Sequence, residues 1–153
     1  MTTLNLKTSR FGEIEYAPED VVHFADGLLG FPAAVDFVFI QHKEDSPFRW
    51  MQSLQDGALA FLVVDPATYV PNYGPDMPVS AAETLKLGED TPQLVYTIAT
   101  IPPGRPEDMT LNLAGPIVVN CADRIAMQIV LGDESYPVRH RVFQKKSGSG
   151  QAA

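Results

Sequence analysis

Cysteine is almost absent from this chain: Cys121 is the only one in 153 residues. A single thiol excludes an intrachain disulfide framework and a cysteine-built zinc site, and it fits a reducing compartment. Cys121 closes an apolar run, so it is expected to be a buried structural thiol rather than a nucleophile. Histidine is scarce too. His23, His42 and His140 stand far apart, with no HExxH or CxxC motif, so no metal site is legible. GxSxG, P-loop and GxGxxG patterns are also missing, and neither a catalytic constellation nor a cofactor is expected. No stretch approaches the roughly 18 apolar residues that read as a spanning helix. The first residues, Met1 to Lys7, lack the apolar core of a secretory signal, so the expected location is the cytoplasm.

Basic charge is in short supply as well. Eleven Lys plus Arg face 19 Asp plus Glu, a formal net charge of -8. Such a surface repels phosphate, so neither direct nucleic-acid binding nor an anionic membrane is expected. Basic proteins would be attracted to it. The same acidity also keeps a protein soluble, and charge alone does not separate these two readings.

The chain does contain ample core-forming residues, 45% hydrophobic against 20% charged, which is ordinary for a globular domain. Residues 1–143 read as one domain, and 144–153, rich in Lys, Ser and Gly, as a disordered tail. Period-two alternation dominates. Leu4 and Leu6 alternate with Asn5 and Lys7, and Ile14 and Tyr16 with Glu13 and Glu15, with a hairpin or bulge near Gly12. Gly27 and Gly30 frame a tight loop. Phe37 to Ile40 and Leu59 to Val64 read as buried strands. Phe48 and Trp50 alternate with Arg49 and Met51. Later strands follow from Gln93, Met109, Ile117 and Ile125. Ser80 is a plausible cap, with Glu83 in the capping-box position, for one short helix. About nine strands at spacings of roughly 8–12 residues predict a mostly β, small antiparallel β-barrel-like single domain with one short helix. Ile14, Tyr16, Met109, Leu111, Leu113, Ile125, Met127 and Ile129 are expected to point inward and fill it.

Residues 65–78 break the pattern. Pro66, Pro71, Pro75 and Pro78 preclude a regular helix or central strand, so a long ordered loop is expected, held by Tyr69 and Tyr73. Asp65 and Asn120 each end an apolar run, where such side chains hold turns by bonding backbone. They can equally brace the loop as a recognition surface, with Tyr69 and Tyr73 as its anchors. The acidic turns Glu44-Asp45, Glu89-Asp90 and Asp133-Glu134 are expected to steer a basic partner.

Several stretches, taken in order, resemble the flagellar assembly factor FliW family. They include Thr8 through Glu15, Phe24 through Phe31, and Trp50 through Leu54. Ala60 through Pro66 and Tyr73 come next, followed by Met109 through Leu113 and Gly115 through Asn120. Gln128 through Leu131 and Tyr136 through His140 complete the set. The likeness spans residues 4–143. Leu29 stands where the family often has Pro, and Gly115 where it often has Ala. The resemblance implies a β-barrel-like fold without enzymatic activity. It also implies binding to flagellin and to CsrA, a small RNA-binding repressor of flagellin translation, whose repression is relieved when secretion frees the assembly factor. A monomer suffices for that role. Two other readings stay open at this level: a secretion chaperone for another client, and a small-ligand-binding barrel.

Overall fold

The computed structural model describes residues 3–41, 43–132 and 135–143. The chain starts with a hairpin of β1 (Leu4–Thr8) and β2 (Gly12–Tyr16), paired antiparallel from Leu4↔Tyr16 to Thr8↔Gly12. Gly12 turns it with φ 67°, and Thr8 Oγ1 donates to the Gly12 carbonyl at 2.8 Å while accepting from Phe11 N. This hairpin is a separate two-stranded sheet.

The main sheet closes on itself. Its barrel strands are β3 (Val22–Phe24), β4 (Asp36–Gln41), β5 (Phe48–Ser53), β6 (Ala60–Val64), β7 (Gln93–Thr100), β9 (Ile117–Asn120) and β10 (Ile125–Gln128). Neighbours run β7-β6-β5-β4-β3-β10-β9, and β9 pairs back onto β7 from Gln93↔Asn120 to Tyr96↔Ile117, making a seven-stranded ring. β8 (Thr110–Leu111) and β11 (His140–Arg141) extend from the far end of β7 through Ala99↔Leu111 and His140↔Leu111. The barrel is antiparallel, as expected, at every junction but one: β3 and β10 run parallel. Parity demands this. Strand directions cannot alternate all the way round a ring with an odd number of members.

Alternation then sorts the core into an interior and two outer layers. Phe24, Phe37, Met51, Val63 and Ile117 are fully buried inside, with Phe24 edge-on to Phe37 at 5.2 Å. On the outside, Val64 and Ala99 are covered by Met109, Leu111 and Leu113. The short helix α1 (Val79–Thr84) covers a second outer patch, laying Ala81 and the following Leu85 against Val118 and Ile129. Some inward assignments therefore need correcting. Met109, Leu111 and Leu113 are buried, but in an outer layer. Ile125 and Met127 pack outward in the α1 layer, while Ala126, between them, enters the barrel. Ile14 and Tyr16 lie on the separate hairpin. Period two fixes which residues share a face, but not which face becomes the inside.

Two local expectations also change. α1 begins at Val79 with Pro78 as its N-cap and no side-chain cap, so Ser80 lies inside the first turn. Cys121 is exposed, because β9 stops at Asn120 and Cys121 opens the turn into β10. The Gly27 loop is as tight as expected: φ is 67°, and a Cβ there would stand 2.6 Å from the Phe31 and Pro32 carbonyl oxygens.

Candidate partner-binding surface

The strand registers decide which turns lie together. Gln41↔Arg49, Phe48↔Val64, Val64↔Thr97, Gln93↔Asn120, Ile125↔Asn120 and Val22↔Phe37 align the ends of β4, β6 and β9 with the starts of β3, β5, β7 and β10. One end of the barrel therefore gathers the Glu44-Asp45 turn, Asp65, the Glu89-Asp90 turn and Asp123, with Glu19 and Asp20 on the approach to β3. All of these residues are exposed. Lys43, Arg49, Lys86 and Arg124 are the cations there, so carboxylates outnumber them. Two of the three predicted acidic turns thus converge, although they are far apart in sequence. Asp133 and Glu134 lie outside the described residues.

The proline-rich loop leaves this end at Asp65 and folds back over the outside of the sheet. Asp65 Oδ1 accepts from Ala67 N at 2.9 Å, capping a 3-10 turn over Pro66–Thr68. Tyr69, half-buried, packs with Phe48 and Phe143 at centroid distances of 6.2 and 6.0 Å. Tyr73 donates its hydroxyl to the Leu113 carbonyl at 2.7 Å and meets Tyr136 edge-on at 4.8 Å. Desolvation, then the neighbouring Tyr136, push the Tyr73 pKa up to about 12. Both tyrosines thus staple the loop to the barrel, and Tyr73 spends its polar end internally. Between loop and sheet runs a cleft of about 370 Å³, with Tyr73 and Met77 on one wall and Val95 and Val118 on the other.

Asn120 ends β9 and holds a turn by bonding backbone, the first of the two readings its sequence position allows. It is 1% exposed. Its Nδ2 donates to the Leu85 carbonyl at 2.7 Å, and its Oδ1 accepts from Ala122 N and Asp123 N at 3.0 and 3.1 Å. It ties the end of α1 to the β9–β10 turn, so it holds this end of the barrel in shape rather than bracing the proline-rich loop. Sequence reasoning missed the barrel mouth itself, where Arg49, Tyr96, Cys121 and Arg124 line a cavity. A signal existed: Arg49 shares the face of inward-pointing Met51, two residues away. Among the described residues, no group of three or more His, Cys, Asp or Glu could hold a metal ion. Nor is any helix among them long and apolar enough to cross a membrane.

These features define a small closed β-barrel with acidic turns gathered at one end, a stapled proline-rich loop and, among the described residues, one outer helix. Comparison with known proteins carries this to a family. The model of the family described as "FliW protein" matches residues 5–142. The chain is 37% identical over 142 residues to a flagellar assembly factor FliW of Moorella thermoacetica, covering 93% of this chain and 90% of that protein. It is 39% identical over 140 residues to one of Bdellovibrio bacteriovorus, covering 92% and 79%. A crystal structure of the flagellar assembly factor FliW superposes with a TM-score of 0.85 at 33% identity, covering 92% of this chain and 98% of that one. The chain belongs to the FliW family of flagellar assembly factors.

Proposed function

We propose that this protein works in the cytoplasm by binding, not by catalysis. It switches between two partners: flagellin, and the RNA-binding repressor CsrA, whose hold on flagellin translation it relieves. When flagellin is exported, the freed protein captures the repressor, so translation follows export. The acidic end of the barrel is the docking surface for the basic repressor, and the stapled loop supplies rigid contact area beside it.

The observation that carries this reading is the convergence of the Glu44-Asp45 and Glu89-Asp90 turns with Asp65 and Asp123 at one end of the barrel. An RNA-binding protein must present basic surface to phosphate, and an acidic patch raises its encounter rate and orients it. Family membership adds the flagellar context. The test uses purified CsrA and flagellin. The protein should bind CsrA, and added flagellin should lower that binding. Absence of binding to both proteins would overturn the reading.

A further inference from the structure

The barrel mouth beside the hairpin holds a feature that the acidic surface does not explain. A cavity of about 470 Å³ opens there, between the hairpin and the barrel. Its floor is apolar: Phe39 and Tyr96 stack at 5.2 Å, with Val119 beside them. Arg49 and Arg124 stand on its barrel side, and Glu15, Glu19 and Asp20 on its hairpin side. Neither arginine forms an ion pair among the described residues, although the protein has a net charge of -8. Arg124 also sits at φ 55°. That region suits glycine, so a side chain there costs about 1 kcal/mol of backbone strain.

One wall of the cavity is an open strand. β2 pairs only with β1, and no other backbone hydrogen bond is made by Gly12–Tyr16 among the described residues. The outer edge of β1 is different, being covered where Ser9 N bonds the Gly57 carbonyl. The free edge of β2 thus lies along an apolar cavity with two unpaired guanidinium groups across from it.

The geometry points to a peptide-binding groove. An extended segment of a partner protein adds to the free edge of β2, puts an apolar side chain over Phe39 and Tyr96, and places a carboxylate against Arg49 and Arg124. Each part uses a known mode of recognition. Strand addition supplies main-chain hydrogen bonds. Alternate side chains of the added strand face the cavity. Arginine holds carboxylates through strong, charge-assisted bonds. Glu15, Glu19 and Asp20 fix the polarity, because they repel a carboxylate from the hairpin side and leave the two arginines as its partners. This groove lies at the same end of the barrel as the acidic turns but is lined by other elements, and the inference does not depend on the identity of the partners proposed above.

The test is a titration of the isotopically labelled full chain with the blocked peptide acetyl-Thr-Phe-Thr-Glu-Thr-Val-amide, followed by NMR. Phe, Glu and Val of this probe share one face. Amide signals of residues 12–16 and the Arg49 and Arg124 side-chain signals should shift together, and hydrogen exchange along β2 should slow. The same peptide with Gln for Glu should bind about tenfold more weakly, the loss expected for one charge-assisted contact. Arg49→Gln with Arg124→Gln should abolish that preference. The Gln-peptide comparison uses the unaltered protein, so it stands even where the double variant folds poorly. Equal binding of the two peptides overturns the inference. So do shifts confined to other surfaces, absence of binding at millimolar peptide, or shifts that depend on protein concentration alone, as self-association at the same edge would produce.

Discussion

At the scale of single residues, Asn120 and Gly27 carry the most exposed claims. Asn120 satisfies one carbonyl and two backbone N–H groups from a fully buried position. Truncation leaves several of these without partners, so Asn120→Ala should lower stability by about 2–4 kcal/mol. Urea unfolding checks this. CsrA affinity, measured where the variant is still folded, should change much less than for a residue in direct contact. Gly27 and Gly30 make an internal control. Both have positive φ, but only Gly27 has carbonyl oxygens where a Cβ would go. Gly30→Ala should cost about 1 kcal/mol, whereas Gly27→Ala should cost several times more. Tyr73 adds a pH signature. Its folded pKa is raised to about 12 from an ordinary 10. The unfolded chain therefore loses this proton first. The stabilisation is complete below about pH 10 and is lost as pH rises towards 12. Tyr73→Phe should remove this part of the alkaline loss while costing about 1 kcal/mol at neutral pH through the missing bond to Leu113. Thermal melts from pH 8 to 11 distinguish the two effects.

At the scale of elements, the strands were legible and their partners were less so. The apolar runs Phe37 to Ile40 and Leu59 to Val64 and the alternation around Trp50 are local, and they located β4, β6 and β5. The prolines of residues 65–78 marked the ordered loop for the same reason. What stayed hidden depends on distant chain. That Ile125 faces α1 and Ala126 faces the interior is set by where α1 packs, about 45 residues earlier. Cys121 was read as buried because an apolar run precedes it, yet the strand ends one residue before it. The convergence of the acidic turns was likewise invisible, because only the ring closure brings Asn120 opposite Gln93. α1 also gives a prediction at this scale. It has six residues and no side-chain cap, so it owes its stability to packing rather than to helix propensity. Leu85, 1% exposed, is its main anchor. Leu85→Ala should cost about 2–4 kcal/mol in urea unfolding. Protection from hydrogen exchange should fall first in α1 and the β9–β10 turn, which Asn120 links to it.

At the scale of the whole molecule, the central feature is the gathering of acidic turns from distant parts of the chain at one end of a closed barrel. The ring of strands removes most free edges, and the closed core leaves the turns and loops at its ends and the open edge of β2 as its surfaces for a partner. The acidic turns sit on a scaffold held by Asn120, Asp65 and Tyr73, so charge and shape are fixed before a partner arrives. That predicts fast, salt-sensitive association with a basic protein. The most direct measurement is the association rate of CsrA as a function of salt, for the native chain and for the variant carrying Glu44→Lys, Asp45→Lys, Glu89→Lys and Asp90→Lys. The account predicts that the variant associates at least tenfold more slowly at low salt, with a much flatter salt dependence. Association at the native rate with an unchanged salt dependence would contradict it.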